Sequence, residues 1–194
     1  DGMNILAVDT AGKTAGVALL QDDRLLYEVY LDGGMTHSET LMPMIDTCLK
    51  MCGLTCADID LYAVNAGPGS FTGLRIGLAA VKGLAFPRET LCAPVSTLEA
   101  LAAAHTGEGT VLCALDARRA QVYSAAFDLA THARLLDDDA RAVTDLADFV
   151  ENCKKPLFFV GDGAGLCYNK YSDVAGVLQT PPALRGGRAA AVAL

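Results

Sequence analysis

No apolar run in this sequence approaches the ~18 consecutive residues that a membrane-spanning helix needs, so a helical membrane span is excluded. A basic stretch followed by an apolar one is also missing near the start, which argues against a secretory signal and for a cytoplasmic protein. Asp1-Gly2 ahead of Met3 reads as an expression remnant and is set aside. Basic residues are in short supply. Fifteen Lys and Arg stand against 23 Asp and Glu, for a net charge of −8. A chain that grips nucleic acid unaided needs a basic surface to displace phosphate counterions. The only adjacent basic pairs here are Arg118-Arg119 and Lys154-Lys155, so a partner must supply most contacts to any nucleic acid. Paired metal-binding cysteines are lacking as well. The seven cysteines are an odd number in apolar settings, which fits reduced thiols. Cys48, Cys52 and Cys56 recur every four residues, but no His or further Cys completes a four-ligand shell, and packing is the better reading.

What is present is a globular composition: 194 residues, 52% hydrophobic and 20% charged. That suits one large domain or two small ones. Strand patterns run over Ile5–Asp9, Val17–Leu20 and Leu25–Leu31, an antiparallel meander. The spacing of Leu41, Ile45, Cys48, Leu49 and Cys52 predicts a helix over 38–52, with Thr36 or Ser38 as cap, Pro43 near its first turn and Gly53 as its stop. A strand is expected at Leu61–Val64, a turn at Gly67–Ser70, a helix from Gly73 to Phe86 ended by Pro87, and a further helix from Thr97 to His105. Arg134–Asp139 reads as a polar turn, Thr144–Asn152 as a helix, Leu157–Val160 as a strand, and Gln179–Gly187 as a loop. Arg188–Leu194 reads as the start of a helix.

The opening pattern recurs. Leu112-Cys113-Ala114-Leu115-Asp116 matches Ile5-Leu6-Ala7-Val8-Asp9, and a strand follows in both. This implies two domains with related strand cores, over 3–106 and 107–194. A duplicated strand–turn–strand unit whose first strand ends in Asp is the device by which actin-like ATPases hold nucleotide phosphates.

Several segments then sharpen the reading: Ile5-Leu6-Ala7-Val8-Asp9-Thr10, His37-Ser38-Glu39, Gly67-Pro68-Gly69-Ser70-Phe71-Thr72-Gly73-Leu74-Arg75-Ile76-Gly77, Val95-Ser96-Thr97-Leu98-Glu99-Ala100 and Leu115-Asp116-Ala117-Arg118-Arg119. With these the chain closely resembles the TsaB (YeaZ) family, relatives of TsaD and of the glycoprotease (peptidase M22-like) proteins. The resemblance implies an α/β, actin-like ATPase (ribonuclease H-like) fold with duplicated mixed sheets, flanking helices and a reduced second domain. It implies work beside catalytic TsaD and the small ATPase TsaE. Together these move a threonylcarbamoyl group onto the adenosine next to the tRNA anticodon.

The residues argue for a scaffold without catalytic or metal-ligating residues of its own. TsaD relatives carry His-x-x-x-His after the Gly-Pro-Gly helix, whereas Ser96 and Ala100 stand here, and neither is an imidazole ligand. Phosphate-binding turns need glycines so that backbone N–H groups can approach. Asp9 is followed by Thr10, Ala11 and Gly12, and Asp116 by Ala117, Arg118 and Arg119. Asp9, Thr10, Gly161, Asp162 and Gly163 remain the candidates for nucleotide contact. No tightly bound cofactor is expected, with ATP or ADP confined to the complex interface. His37, Ser38 and Glu39 are triad residue types, but consecutive side chains diverge.

The expected partner surface lies on two helices. Four of five Met residues, Met35, Met42, Met44 and Met51, fall in one stretch, and Met adapts to binding surfaces. Leu41, Met42, Met44, Ile45 and Leu49 make the first helix apolar almost all round. In the second, Gly73 and Gly77, with Ile76 and Ala80, offer the small-residue spacing that admits another helix. Arg75, placed against the helix dipole, is expected to have an anionic partner. The partners implied are TsaD and TsaE, tRNA through the complex, and a second copy when the chain is alone. The competing readings are an actin-like ATPase and a metallopeptidase, the latter disfavoured by the missing His pair.

Overall fold

A computed structural model describes residues 2–194; of the sequence reading, only Asp1 lies outside it. The described residues divide into two compact units, 2–100 with 187–194, and 101–186.

In the first unit, β1 (Asn4–Asp9), β2 (Ala15–Gln21) and β3 (Arg24–Leu31) form the meander. The chain continues through α1 (His37–Cys52), β4 (Leu61–Gly67), α2 (Phe71–Ala85), β5 (Leu91–Ser96) and α3 (Thr97–Ala103). The sheet order is β3-β2-β1-β4-β5, with β4 parallel to β1 and β5 parallel to β4. β1 is buried from Ile5 to Asp9, and its side chains alternate between two covered faces. Leu6 and Val8 pack with Leu41, Ile45 and Cys48 of α1 and Val81 of α2. Ile5 and Ala7 face the other way, onto Ala100 of α3 and Ala189 and Val192 of α6 (Ala189–Val192). The chain's last segment thus closes the first unit's second face. It is pinned by Glu28, whose carboxylate accepts from the Arg188 guanidinium and, at 3.1 Å, from the Ala190 N–H.

The helix ends follow their residues. Glu39, the third residue of α1, reaches back to accept from the Thr36 hydroxyl (2.7 Å) and N–H (3.4 Å), a capping-box arrangement. Gly53 closes α1 at φ 68°, a conformation glycine takes without a Cβ penalty. Ser70 caps α2 by accepting from the Gly73 N–H (3.2 Å).

The second unit repeats the plan with β6 (Thr110–Arg118), β7 (Gln121–Asp128), β8 (Arg134–Ala142), α4 (Ala147–Asn152), β9 (Leu157–Val160), α5 (Ala164–Tyr171) and β10 (Val177–Leu178). Its order, β10-β9-β6-β7-β8, is the first sheet's order read from the other edge. Leu112, Ala114, Leu157 and Phe159 pack with Val150, Cys167 and Tyr171 of the two short helices. The Tyr171 hydroxyl donates to the Val143 carbonyl beneath that layer.

Arg134–Asp139, expected as a turn, is most of strand β8. It is an edge strand, and its Asp137-Asp138-Asp139 run is the charge that discourages pairing with another sheet. The recurring pentapeptide is also one residue out of step with the layers. Leu6 and Val8 face the helices in the first unit, whereas Leu112 and Ala114 do so in the second.

Candidate functional site

In the first unit the candidate site is the pair of adjacent strand ends β1 and β4. Val8 pairs with Val64 in parallel register, so Asp9 and Asn65 follow side by side. Clefts at the carboxyl ends of parallel strands are where open α/β sheets take ligands. Asp9 is 6% exposed and its Oδ1 accepts from the Ala11 N–H at 3.1 Å. Asn65 is 1% exposed, and neither atom of its amide has a hydrogen-bond partner. The buried Thr97 hydroxyl is also unpartnered. Asn65 carries no motif around it, so sequence reasoning missed it; a polar residue closing an apolar strand (Leu61–Val64) was the available signal.

Thr10 is bound into the structure. Its hydroxyl donates to the Gly73 carbonyl at 2.8 Å. A Cβ on Gly73 would strike the Thr10 carbonyl, and one on Gly77 the Thr10 hydroxyl. The four-residue glycine spacing therefore seats α2 on its own β1–β2 turn and not on a foreign helix.

The second unit's candidates have similar commitments. Asp116 Oδ1 accepts from the Arg118 N–H (2.8 Å), the same two-residue loop closure that Asp9 makes. The Asp162 carboxylate accepts from the Asp116 N–H (2.8 Å). At the Gly161–Gly163 turn, the Gly161 N–H donates to Arg185 O (2.6 Å) and the Gly163 N–H to Ala114 O (3.0 Å). A Cβ on Gly161 would strike that Ala114 carbonyl. The two glycines thus permit a close strand–helix turn, and two of the donors a phosphate would need are already engaged. The β6–β7 hairpin holds Arg118, Arg119 and Ala120 at positive φ (67°, 53° and 58°) without a glycine.

The expected partner residues separate into two sets. Leu41, Met44, Ile45 and Leu49 are at most 7% exposed and belong to the first unit's own core. On the flanks of that buried stripe, about half a turn apart, Met42 is 46% and Met51 67% exposed. Gly73 and Gly77 are buried, Ile76 and Ala80 half-buried. Phe71 (74%) and Phe86 (83%), at the two ends of α2, are among the most exposed apolar side chains. Arg75 lies 5.1 Å over the Phe71 ring, so within the chain the cation meets an aromatic face and not the anion expected for it.

His37, Ser38 and Glu39 point to separate partners. His37 Nε2 bonds the Gly12 carbonyl (2.9 Å), Ser38 Oγ lies 3.2 Å from Thr36 Oγ1, and Glu39 caps the helix. Burial pushes the Cys48 thiol up to about 12, which leaves it protonated and inert. Among the described residues, no group of three or more His, Cys, Asp or Glu is placed to hold a metal ion. Among the described residues, no helix is long and apolar enough to cross a membrane.

Comparison with known proteins fits this geometry. The sequence model described as TsaD, tRNA N6-adenosine threonylcarbamoyltransferase, matches residues 33–180. The tRNA threonylcarbamoyladenosine biosynthesis protein TsaB of Bacillus subtilis is 32% identical over 90% of this chain and 77% of that one. The chain belongs to the TsaB family of tRNA threonylcarbamoyladenosine biosynthesis proteins. TsaB of Escherichia coli is 38% identical over 64% of this chain, a match spanning 55% of that protein's length. A solved structure of YeaZ from Pseudomonas aeruginosa superposes with a TM-score of 0.76 at 28% identity, covering 98% of this chain and 89% of that one. Component A of (R)-2-hydroxyglutaryl-CoA dehydratase from Acidaminococcus fermentans shares the fold alone (TM-score 0.53, 11% identity, 98% of this chain and 96% of that one). The duplicated sheets are those of the actin-like ATPase fold.

Proposed function

We propose that the chain is a non-catalytic scaffold that pairs with TsaD, and with TsaE, for transfer of a threonylcarbamoyl group to the adenosine beside the tRNA anticodon. The observation that carries this reading is the outward side of the α1–α2 layer. With the inward side chains buried in the core, α1 still presents Met42 and Met51, and α2 has Phe71 and Phe86 at its ends. Large apolar side chains left in water favour a covering partner, and Phe and Met are enriched where partners meet. The family name supplies the pathway. The net charge of −8 supports leaving most tRNA phosphate contacts to the partner.

In this reading the chain forms homodimers when alone and exchanges its second copy for TsaD. ATP or ADP is engaged at the complex interface and is not held tightly by this chain by itself. The carboxylates of Asp9 and Asp116 support that, because each accepts from the N–H two residues further on.

Co-expression with TsaD and size-exclusion chromatography test the proposal. Phe71→Glu and Met42→Glu alter exposed side chains and should keep the melting behaviour of the parent, within about 0.5 kcal/mol. Both should release TsaD and abolish tRNA modification in the reconstituted system. Normal pairing by the double variant would sink the proposal. Leu41→Glu is unsuitable, because a charge at a core position unfolds the unit before pairing can be read.

A further inference from the structure

Six of the described non-glycine residues hold a positive φ. Three stand singly, whereas Arg118, Arg119 and Ala120 follow one another at the tip of the β6–β7 hairpin (67°, 53° and 58°). Left-handed backbone crowds each Cβ against the following carbonyl oxygen, a cost that glycine escapes. Such strain persists only where the surroundings over-determine it, and here they do so at three points. The Asp162 carboxylate accepts from the Asp116 N–H, and Asp116 Oδ1 accepts from the Arg118 N–H, both at 2.8 Å. On the other side the Ala120 carbonyl accepts from the Val143 N–H at 3.0 Å.

What this brace holds up is a pair of guanidiniums. Arg118 and Arg119 are exposed, and neither has an ion pair among the described residues. The chain's other adjacent basic pair is already engaged. Lys154 meets Asp128 at 3.6 Å, and the Lys155 ammonium donates to the Val150 carbonyl. Cations without an ionic partner at home, carried on backbone that glycine would adopt at less cost, serve an anion outside the chain. A guanidinium's planar fork matches phosphate oxygens two at a time. A docked protein would need an apolar centre to its interface, and the flanking Ala117, Ala120 and Gln121 offer no large apolar side chain. The tip therefore fits a sugar-phosphate backbone better than a protein surface.

We propose that the β6–β7 hairpin is a phosphate-contacting finger, through which Arg118 and Arg119 hold the backbone of tRNA in the assembled complex. This rests on the scaffold reading above and names the chain's own small share of the tRNA contact. Contacts of this kind position the nucleic acid and carry no base sequence. Asp116 and Asp162 act as positioning residues, spent on the backbone of the finger.

Labelled tRNA titrated into the complex with TsaD, at several salt concentrations, tests the finger. Arg118→Gly with Arg119→Gly removes both charges and relieves the strain. It should weaken tRNA binding about tenfold and flatten the slope of log affinity against log salt by about 1.5. The same variant should melt about 2–4 °C above the parent. Arg118→Lys with Arg119→Lys keeps the charges and should keep the slope. An unchanged slope in the glycine variant would overturn the proposal. So would a lower melting temperature, which would make the arginines part of the fold. Loss of TsaD pairing in the glycine variant, read by size-exclusion chromatography, would also overturn it and make the tip a protein contact. Failure of the parent chain to pair would sink the scaffold reading instead, and the same comparison on the free chain at low salt then decides the finger.

Discussion

The two units share one sheet order and one two-residue loop closure, at Asp9 and Asp116, yet they cover their sheets differently. In the first, α1 (16 residues) and α2 (15 residues) roof one face, and α3 with α6 seals the other using alanines. In the second, α4 (6 residues) and α5 (8 residues) suffice for one face. The opposite face receives the loop that Arg185 pins to Gly161, and it retains a cavity of about 220 Å³ lined by Val111, Phe158 and Val160. A duplicated framework has thus been finished in two ways. The first offers an outer helical face that is free for contacts; the second offers an inner space.

The largest difference between the units should appear at one glycine of each unit's second helix. Gly77 of α2 lies against the Thr10 hydroxyl, with Val64 at 3.5 Å behind it. Gly77→Ala should cost about 2 kcal/mol through overpacking and loss of the Thr10–Gly73 bond. Gly165 of α5 meets only Arg185 Nη1 at 3.5 Å. Gly165→Ala should be neutral or stabilising by up to about 1 kcal/mol, from helix propensity. Urea midpoints of the two variants measure the contrast, and equal losses would break it.

A smaller difference is expected at the aspartates. Asp9→Ala leaves a buried N–H unbonded and should cost about 1–2 kcal/mol. Asp116→Ala acts at an exposed position, where water replaces the carboxylate, and should cost less than about 1 kcal/mol. Thermal melts of the pair are the check.

The smallest effect concerns pH and belongs to the second unit. Burial lowers the His105 pKa from the 6.5 of an open imidazole. Between these values the unfolded chain binds a proton that the folded chain refuses. Stability is therefore fully present above pH 6.5 and declines as pH falls below it. His105→Gln should flatten that decline, seen by hydrogen exchange in β6 and β9 at pH 7 and 5.5. An unchanged slope would assign the decline to carboxylates.

The repeat was legible because Asp follows four apolar residues in both units, a pattern carried by five consecutive residues, although β6 runs on past Asp116 to Arg118. The caps at Thr36 and Gly53 were legible for the same local reason. β8 was not, since an exposed edge strand has no apolar alternation and its three aspartates resemble a turn. The helices misled in a different way. Apolar residues around all of α1 show that two faces need cover, but they do not tell which face the home sheet takes. Leu41 and Ile45 went inward and Met42 and Met51 outward. The spacing of Gly73 and Gly77 indicated a close approach but pointed to another helix; the group that approaches is Thr10 of the β1–β2 turn. The brace under the β6–β7 hairpin had no local signature at all, because Asp116 and Asp162 are brought together by the fold and lie 46 positions apart.

The return of residues 187–194 to the first unit makes the second unit a guest inserted within its host. During synthesis on the ribosome, the opening strands emerge early but cannot shield Ile5, Ala7 and Ala63 until α6 has been made. The guest can mature while the host waits, so a nascent chain stalled before Gly187 would carry a bare aliphatic sheet. Such a stalled chain is a natural client for chaperones, whereas one in which α6 has emerged can seal that sheet.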